Sequence, residues 1–123
     1  MHNVCKKTYV GKSGTTKYVV GEYKDVKGIP GMDAHHVGQA AILKNKINNY
    51  NYNEAPAISV PVIGHRKSGD YGIVSRTVDS NLSPRQVLAR DIKELRRVYR
   101  DIPNEALKRL IDINKQMYPE MRR

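Results

Sequence analysis

Apolar and polar positions alternate with turn residues along the first quarter of the chain. Two runs rich in β-branched and aromatic residues, Lys6-Lys7-Thr8-Tyr9-Val10 and Lys17-Tyr18-Val19-Val20-Gly21-Glu22-Tyr23, flank the turn-forming segment Gly11-Lys12-Ser13-Gly14-Thr15. Two such runs around a glycine-containing turn predict an antiparallel hairpin. Gly28-Ile29-Pro30-Gly31 marks a bend that delivers the chain to an extended segment at Asp33-Ala34-His35-His36. From Gln39 to Ile47, good helix formers with apolar residues at helical spacing predict a short helix. Asn48-Asn49-Tyr50-Asn51-Tyr52-Asn53 reads as a polar connector. Ala57-Ile58-Ser59-Val60-Pro61-Val62 then predicts a short strand, with Pro61 placing it at a sheet edge or at the strand's end. Ile73-Val74-Ser75-Arg76 is a further apolar piece of unassigned type.

Beyond Ser83 the period becomes helical. Ser83 is a capping residue, Pro84 suits the first helical position, and Val87, Leu88, Ile92, Leu95, Val98 and Tyr99 line one face. Arg85, Arg90, Lys93, Arg96, Arg97 and Arg100 occupy much of the remainder. Asp101-Ile102-Pro103 breaks the pattern, and a second helix follows with Asn104 and Glu105 near its start. Leu107, Leu110, Ile111, Asn114, Met117 and Tyr118 recur at helical spacing, and Pro119 ends it. The two predict a helical hairpin whose apolar stripes cover the sheet or each other and serve as scaffold.

A length of 123 residues fits one domain with a single core. Residues 1–30 supply the hairpin, 31–72 the central unit and 83–119 the helical pair. Lys and Arg total 22 against 12 Asp and Glu, a net charge of +10, which points to a polyanionic partner, nucleic acid first. No apolar run is long enough for a membrane span and no signal-peptide pattern opens the chain, so it reads as soluble, without a membrane partner. Cys5 is the only cysteine, which excludes an intramolecular disulfide and a thiolate metal cage. With no Phe or Trp, eight tyrosines are the large aromatics, which argues against an aromatic platform for single-stranded bases.

The chemistry concentrates in Asp33-Ala34-His35-His36, with His65 following the second predicted strand; His2, beside the amino terminus, reads as having no role. Adjacent histidines on an extended segment point to opposite faces, so they suit divided labour. One imidazole can ligate a cation that polarises a phosphate, while the other takes a proton from water. Asp33 lies on the His35 side, where it can orient that ring or ligate directly. A structural zinc site is the weaker alternative, because it needs four protein ligands.

Asp33-Ala34-His35-His36-Val37, Gln39, Ala55-Pro56-Ala57-Ile58-Ser59-Val60-Pro61 and Gly64-His65 together resemble the AHH/GHH type of toxin nuclease in the HNH/endonuclease VII superfamily. These are His-Me finger domains found at the carboxyl ends of bacterial polymorphic toxins. The resemblance covers about residues 32–69 and implies an α+β fold. A ββα-metal core would be preceded by a β-hairpin and followed by a C-terminal helical hairpin. It implies His35 and His65 as metal ligands, joined by Asp33, and His36 as general base. Arg66, Lys67 and Gln39 would hold the substrate phosphates. The four residues after His65, Arg66-Lys67-Ser68-Gly69, lack the further Asn or His common on that helix, leaving the vacancy to Asp33, Gln39, Asp70 or water.

The activity so implied is metal-dependent endonuclease cleavage of DNA, with Mg²⁺ expected and Zn²⁺, Mn²⁺ or Ni²⁺ also suited. No small-molecule substrate is expected. The resemblance also implies delivery as part of a larger secreted toxin, action in the target-cell cytoplasm, and neutralisation by an acidic immunity protein. Two other readings stand beside it: an RNase toxin, and a basic nucleic-acid-binding module without chemistry.

Overall fold

Lys7–Val10 (β1) and Lys17–Glu22 (β2) pair antiparallel, Lys7 opposite Val20 and Val10 opposite Lys17, as the two β-branched runs predict. This arrangement comes from a computed structural model that describes residues 4–65 and 82–122. The connecting turn is tied to the far end of the chain. Ser13 N donates to Asp101 Oδ1 at 2.6 Å, Lys12 N to the Asp101 carbonyl at 2.8 Å, and the Tyr18 hydroxyl to Asp101 Oδ2 at 3.2 Å.

Tyr23 belongs to the second predicted strand, yet it opens a one-turn helix, α1 (Tyr23–Val26). The backbone explains the difference. Tyr23 N and Lys24 N each donate at 2.9 Å, to the carbonyls of Ala55 and Asn53 in the connector before the strand at residues 56–61, and Lys27 N returns to Tyr23 O at 2.9 Å to close the helical turn. The bend at residues 28–31 then leads into β3 (Met32–His36).

The predicted helix over 39–47 is shorter, α2 (Ala40–Leu43). Gln39 sits at φ 63° and ψ 107°, outside helical space, and no side chain caps the first turn. At the far end the chain tightens, with Lys46 N bonded to Leu43 O at 2.9 Å. Strand β4 (Pro56–Pro61) follows and runs antiparallel to both β2 and β3, giving the order β1-β2-β4-β3. It is therefore interior, with residues 56–60 all buried, and its prolines stand at the two ends, where the loss of a ladder donor is tolerated. Helix α3 (Val62–His65) continues directly from it.

Helix α4 (Pro84–Val98) begins with the expected cap: Gln86 N donates to Ser83 Oγ at 3.2 Å and Ser83 N to Gln86 Oε1 at 2.9 Å. This reciprocal box satisfies two otherwise unpaired amides. Helix α5 (Asn104–Met117) ends before Pro119, which opens a short 3-10 turn (Pro119–Arg122). The apolar stripe of α5 lies over β2 and β4, where Leu107, Leu110, Ile113 and Met117 bury against the core that includes Val20, Ile58 and Val60. The fold is thus α+β, one antiparallel sheet with the carboxyl-terminal helices on one face. Among the described residues no helix is long and apolar enough to cross a membrane.

Candidate active site

Register decides where the two imidazoles go. His35 stands opposite Ile58 and His36 opposite Ala57, and directly paired residues share a face. His35 therefore lies with Asp33, Ile58 and Val60 on the helix-covered side. His36 turns to the other side with Ala34 and Ser59, as strand alternation requires.

On the helical side His35 Nε2 meets Asp91 Oδ2 of α4 at 2.6 Å, and the two side chains are only 6% and 2% exposed. Gly38 N donates to the same carboxylate oxygen at 2.7 Å. One buried acid thus binds the end of β3 and the turn after it to α4. Gly38 carries φ +88°, a conformation glycine adopts without strain, and Leu43 packs where its Cβ would stand. The other oxygen, Asp91 Oδ1, is buried and accepts no hydrogen bond among the described residues.

On the other face His36 is 7% exposed and enclosed by two tyrosines. The Tyr23 ring stacks on it at a centroid distance of 4.1 Å and an angle of 15°; Tyr52 leans on it at 4.2 Å and 46°. His36 Nε2 lies 2.8 Å from the Tyr52 carbonyl oxygen. A carbonyl only accepts, so Nε2 carries the hydrogen. Burial pushes the His36 pKa below its ordinary value of 6.5, against the opposing pull of that hydrogen bond and with a smaller contribution from His35. The ring is then neutral near pH 7, and its lone pair resides on Nδ1. The Tyr52 hydroxyl is held protonated, its pKa raised first by a hydrogen bond with Tyr23. Beside Tyr52 opens a cleft of about 240 Å³ lined by Ala40, Ala41, Lys44, Tyr50 and Tyr52.

The remaining expected residues divide. Asp33 shares the His35 face, near the Tyr99 hydroxyl, whose pKa burial raises with Asp33 adding to the effect. Gln39 lies half-buried at the entry to α2. His65 closes α3, at the end of the β3–β4 pair where Met32 faces Pro61, whereas His36 faces Ala57 near the opposite end. The side chain of His65, and all of Arg66, Lys67 and Asp70, lie outside the described residues, as do His2 and the apolar piece at 73–76.

Three residues of this site carried no assignment in the sequence. Asp91 had a legible signal: it falls four residues after Val87 and four before Leu95, inside an apolar stripe, where an acid requires a partner. Tyr23 and Tyr52 had none, because only the folded connector brings them to His36. These tyrosines form an aromatic wall despite the absence of Phe and Trp.

The expected ligand His35 has its Nε2 committed to Asp91, and among the described residues no group of three or more His, Cys, Asp or Glu converges to hold an ion. No family model, curated protein or solved structure matches the chain.

Proposed function

We propose that the protein is an endonuclease that hydrolyses phosphodiester bonds in DNA, with His36 as its general base. The observation that carries this reading is the state of His36: a neutral imidazole at the end of a strand, its Nε2–H pinned to a carbonyl and its Nδ1 basic. A general base needs a fixed ring that is unprotonated at the working pH, with a pKa not far from it. Nδ1 takes a proton from water as the water oxygen attacks phosphorus, and the ester oxygen opposite departs with the electron pair of the broken P–O bond. Strands β3 and β4 pair antiparallel with the one-turn helix α2 in the connection between them, and the short helix α3 follows β4, an arrangement compatible with the same assignment.

The divalent ion belongs to this proposal as a requirement to be measured. The side chain of His65, the second expected ligand, lies outside the described residues, so no step is assigned to the ion. On the same reading the domain is the killing part of a larger bacterial toxin acting in a target cell, held in check by an acidic immunity protein.

Plasmid nicking by the purified chain, with and without EDTA and beside His36→Ala, tests the reading. Nicking by the native chain that disappears in His36→Ala is the expected result; full activity in the variant would sink the assignment. A parallel RNA substrate separates DNase from RNase action, because the chemistry at phosphorus is common to both. If the native chain cleaves neither polymer yet binds both, it is a basic binding module.

A further inference from the structure

We propose that the groove between the β1–β2 turn and α4 is a docking surface for the sugar-phosphate backbone of a nucleic acid, separate from the His36 site. The groove holds about 500 Å³ and is lined, among the described residues, by Lys12, Lys93, Arg96, Arg97 and Arg100. Lys12 comes from the turn, which Asp101 ties to the end of α4. Lys93, Arg96 and Arg97 recur at i, i+3 and i+4 and so share the outer side of α4, and Arg100 follows just beyond the helix's end.

Counter-charges within the groove are few. Glu94 neutralises Arg97, accepting from its Nε and Nη2 at 3.0 Å each. Asp101, near Lys12, already accepts from Ser13 N and the Tyr18 hydroxyl. Lys93, Arg96 and Arg100 form no ion pair among the described residues. Arg96 is aimed by a neutral partner, its Nη1 donating to Asn104 Oδ1 at 2.8 Å. From Lys93 to Arg97 the helix rises about 6 Å. One nucleic-acid strand presents a phosphate about every 3.4 Å along its duplex axis, so that span faces about two phosphates.

The chemistry of the lining selects among polyanions. A membrane surface needs aromatic or aliphatic side chains to insert. The groove offers neither. Its cations lie on the helical side of the molecule, whereas the His36 ring is on the opposite sheet face. It therefore grips a polymer away from the reacting bond, and binding there requires no cleavage.

The test measures anisotropy of a short labelled DNA duplex over a range of salt, in a His36→Ala background. Lys93→Ala/Arg96→Ala/Arg100→Ala is compared with Lys6→Ala/Lys24→Ala/Lys108→Ala, which removes the same charge from exposed positions elsewhere. The groove variant is expected to lose affinity about tenfold or more and its salt slope to fall by about 3, while the control variant changes far less. Equal losses in the two variants would overturn the proposal, since net charge alone would then account for binding. So would displacement of the duplex by charge-matched polyglutamate as readily as by unlabelled DNA. Because binding is read without cleavage, an inactive native chain leaves this result standing, and an active chain whose groove variant binds normally defeats the groove alone.

Discussion

At His36 the ring's environment, more than its identity, sets what it can do. The hydrogen bond to the Tyr52 carbonyl is a backbone contact and survives replacement of the Tyr52 side chain, but the shelter given by the ring does not. Tyr52→Ala is therefore expected to raise the His36 pKa toward 6.5, read by proton NMR titration of the imidazole, and to shift the acid limb of any cleavage profile upward with it. An unchanged titration would mean that the aromatic wall is not the source of the shift. The same depression couples to stability. With the folded pKa below the unfolded value of 6.5, the unfolded chain binds more protons between the two. The His36 contribution is fully present above pH 6.5 and is lost as the pH falls through the folded pKa. Urea midpoints are expected to drop between neutral and mildly acidic pH, less steeply in His36→Gln.

Among the elements, α4 has the most separate tasks. Its inner side carries Asp91, which holds His35 and Gly38 at once, and its start is secured by Ser83 and Gln86. Removing one member of a buried pair leaves the other polar group uncompensated, and Asp91→Ala is expected to cost about 3–5 kcal/mol in denaturant unfolding. Asp91→Asn keeps an acceptor for Gly38 and should cost less, about 1–3 kcal/mol. A cost below about 1 kcal/mol for the alanine variant would contradict a clamping role. Ser83→Ala tests the cap separately, with an expected loss of about 1 kcal/mol. Since the cap is distant from the His36 face, cleavage per folded molecule should not change.

For the whole molecule, the sheet separates two surfaces. His36 and the tyrosines occupy one face, while the outward cations of α4 lie beyond the helices on the other. With a net charge of +10, association with a polyanion is expected to weaken steeply as salt rises. A binding constant that stays flat over that range would remove nucleic acid from the partners this chain is built for.

The elements with strong local codes were legible from the residues alone. The β1–β2 hairpin, the Ser83 cap, the Pro119 stop and the apolar stripes of α4 and α5 all rest on neighbours within a few positions, where propensity and periodicity act directly. The opposite facing of His35 and His36 was legible for the same reason, since alternation is a property of any strand. The tertiary structure decided what no local pattern encodes. Insertion of β4 between β2 and β3 makes the proline-ended strand the interior one, and the loop carbonyls that accept from Tyr23 N and Lys24 N accompany the turn of a strand end into helix α1. Contacts across 56 and 16 residues of chain gave His35 to Asp91 and His36 to the Tyr52 carbonyl. The residue types singled out the two imidazoles; which ring is clamped by an acid and which has its pKa lowered was determined by burial and by partners that only the fold brings within reach.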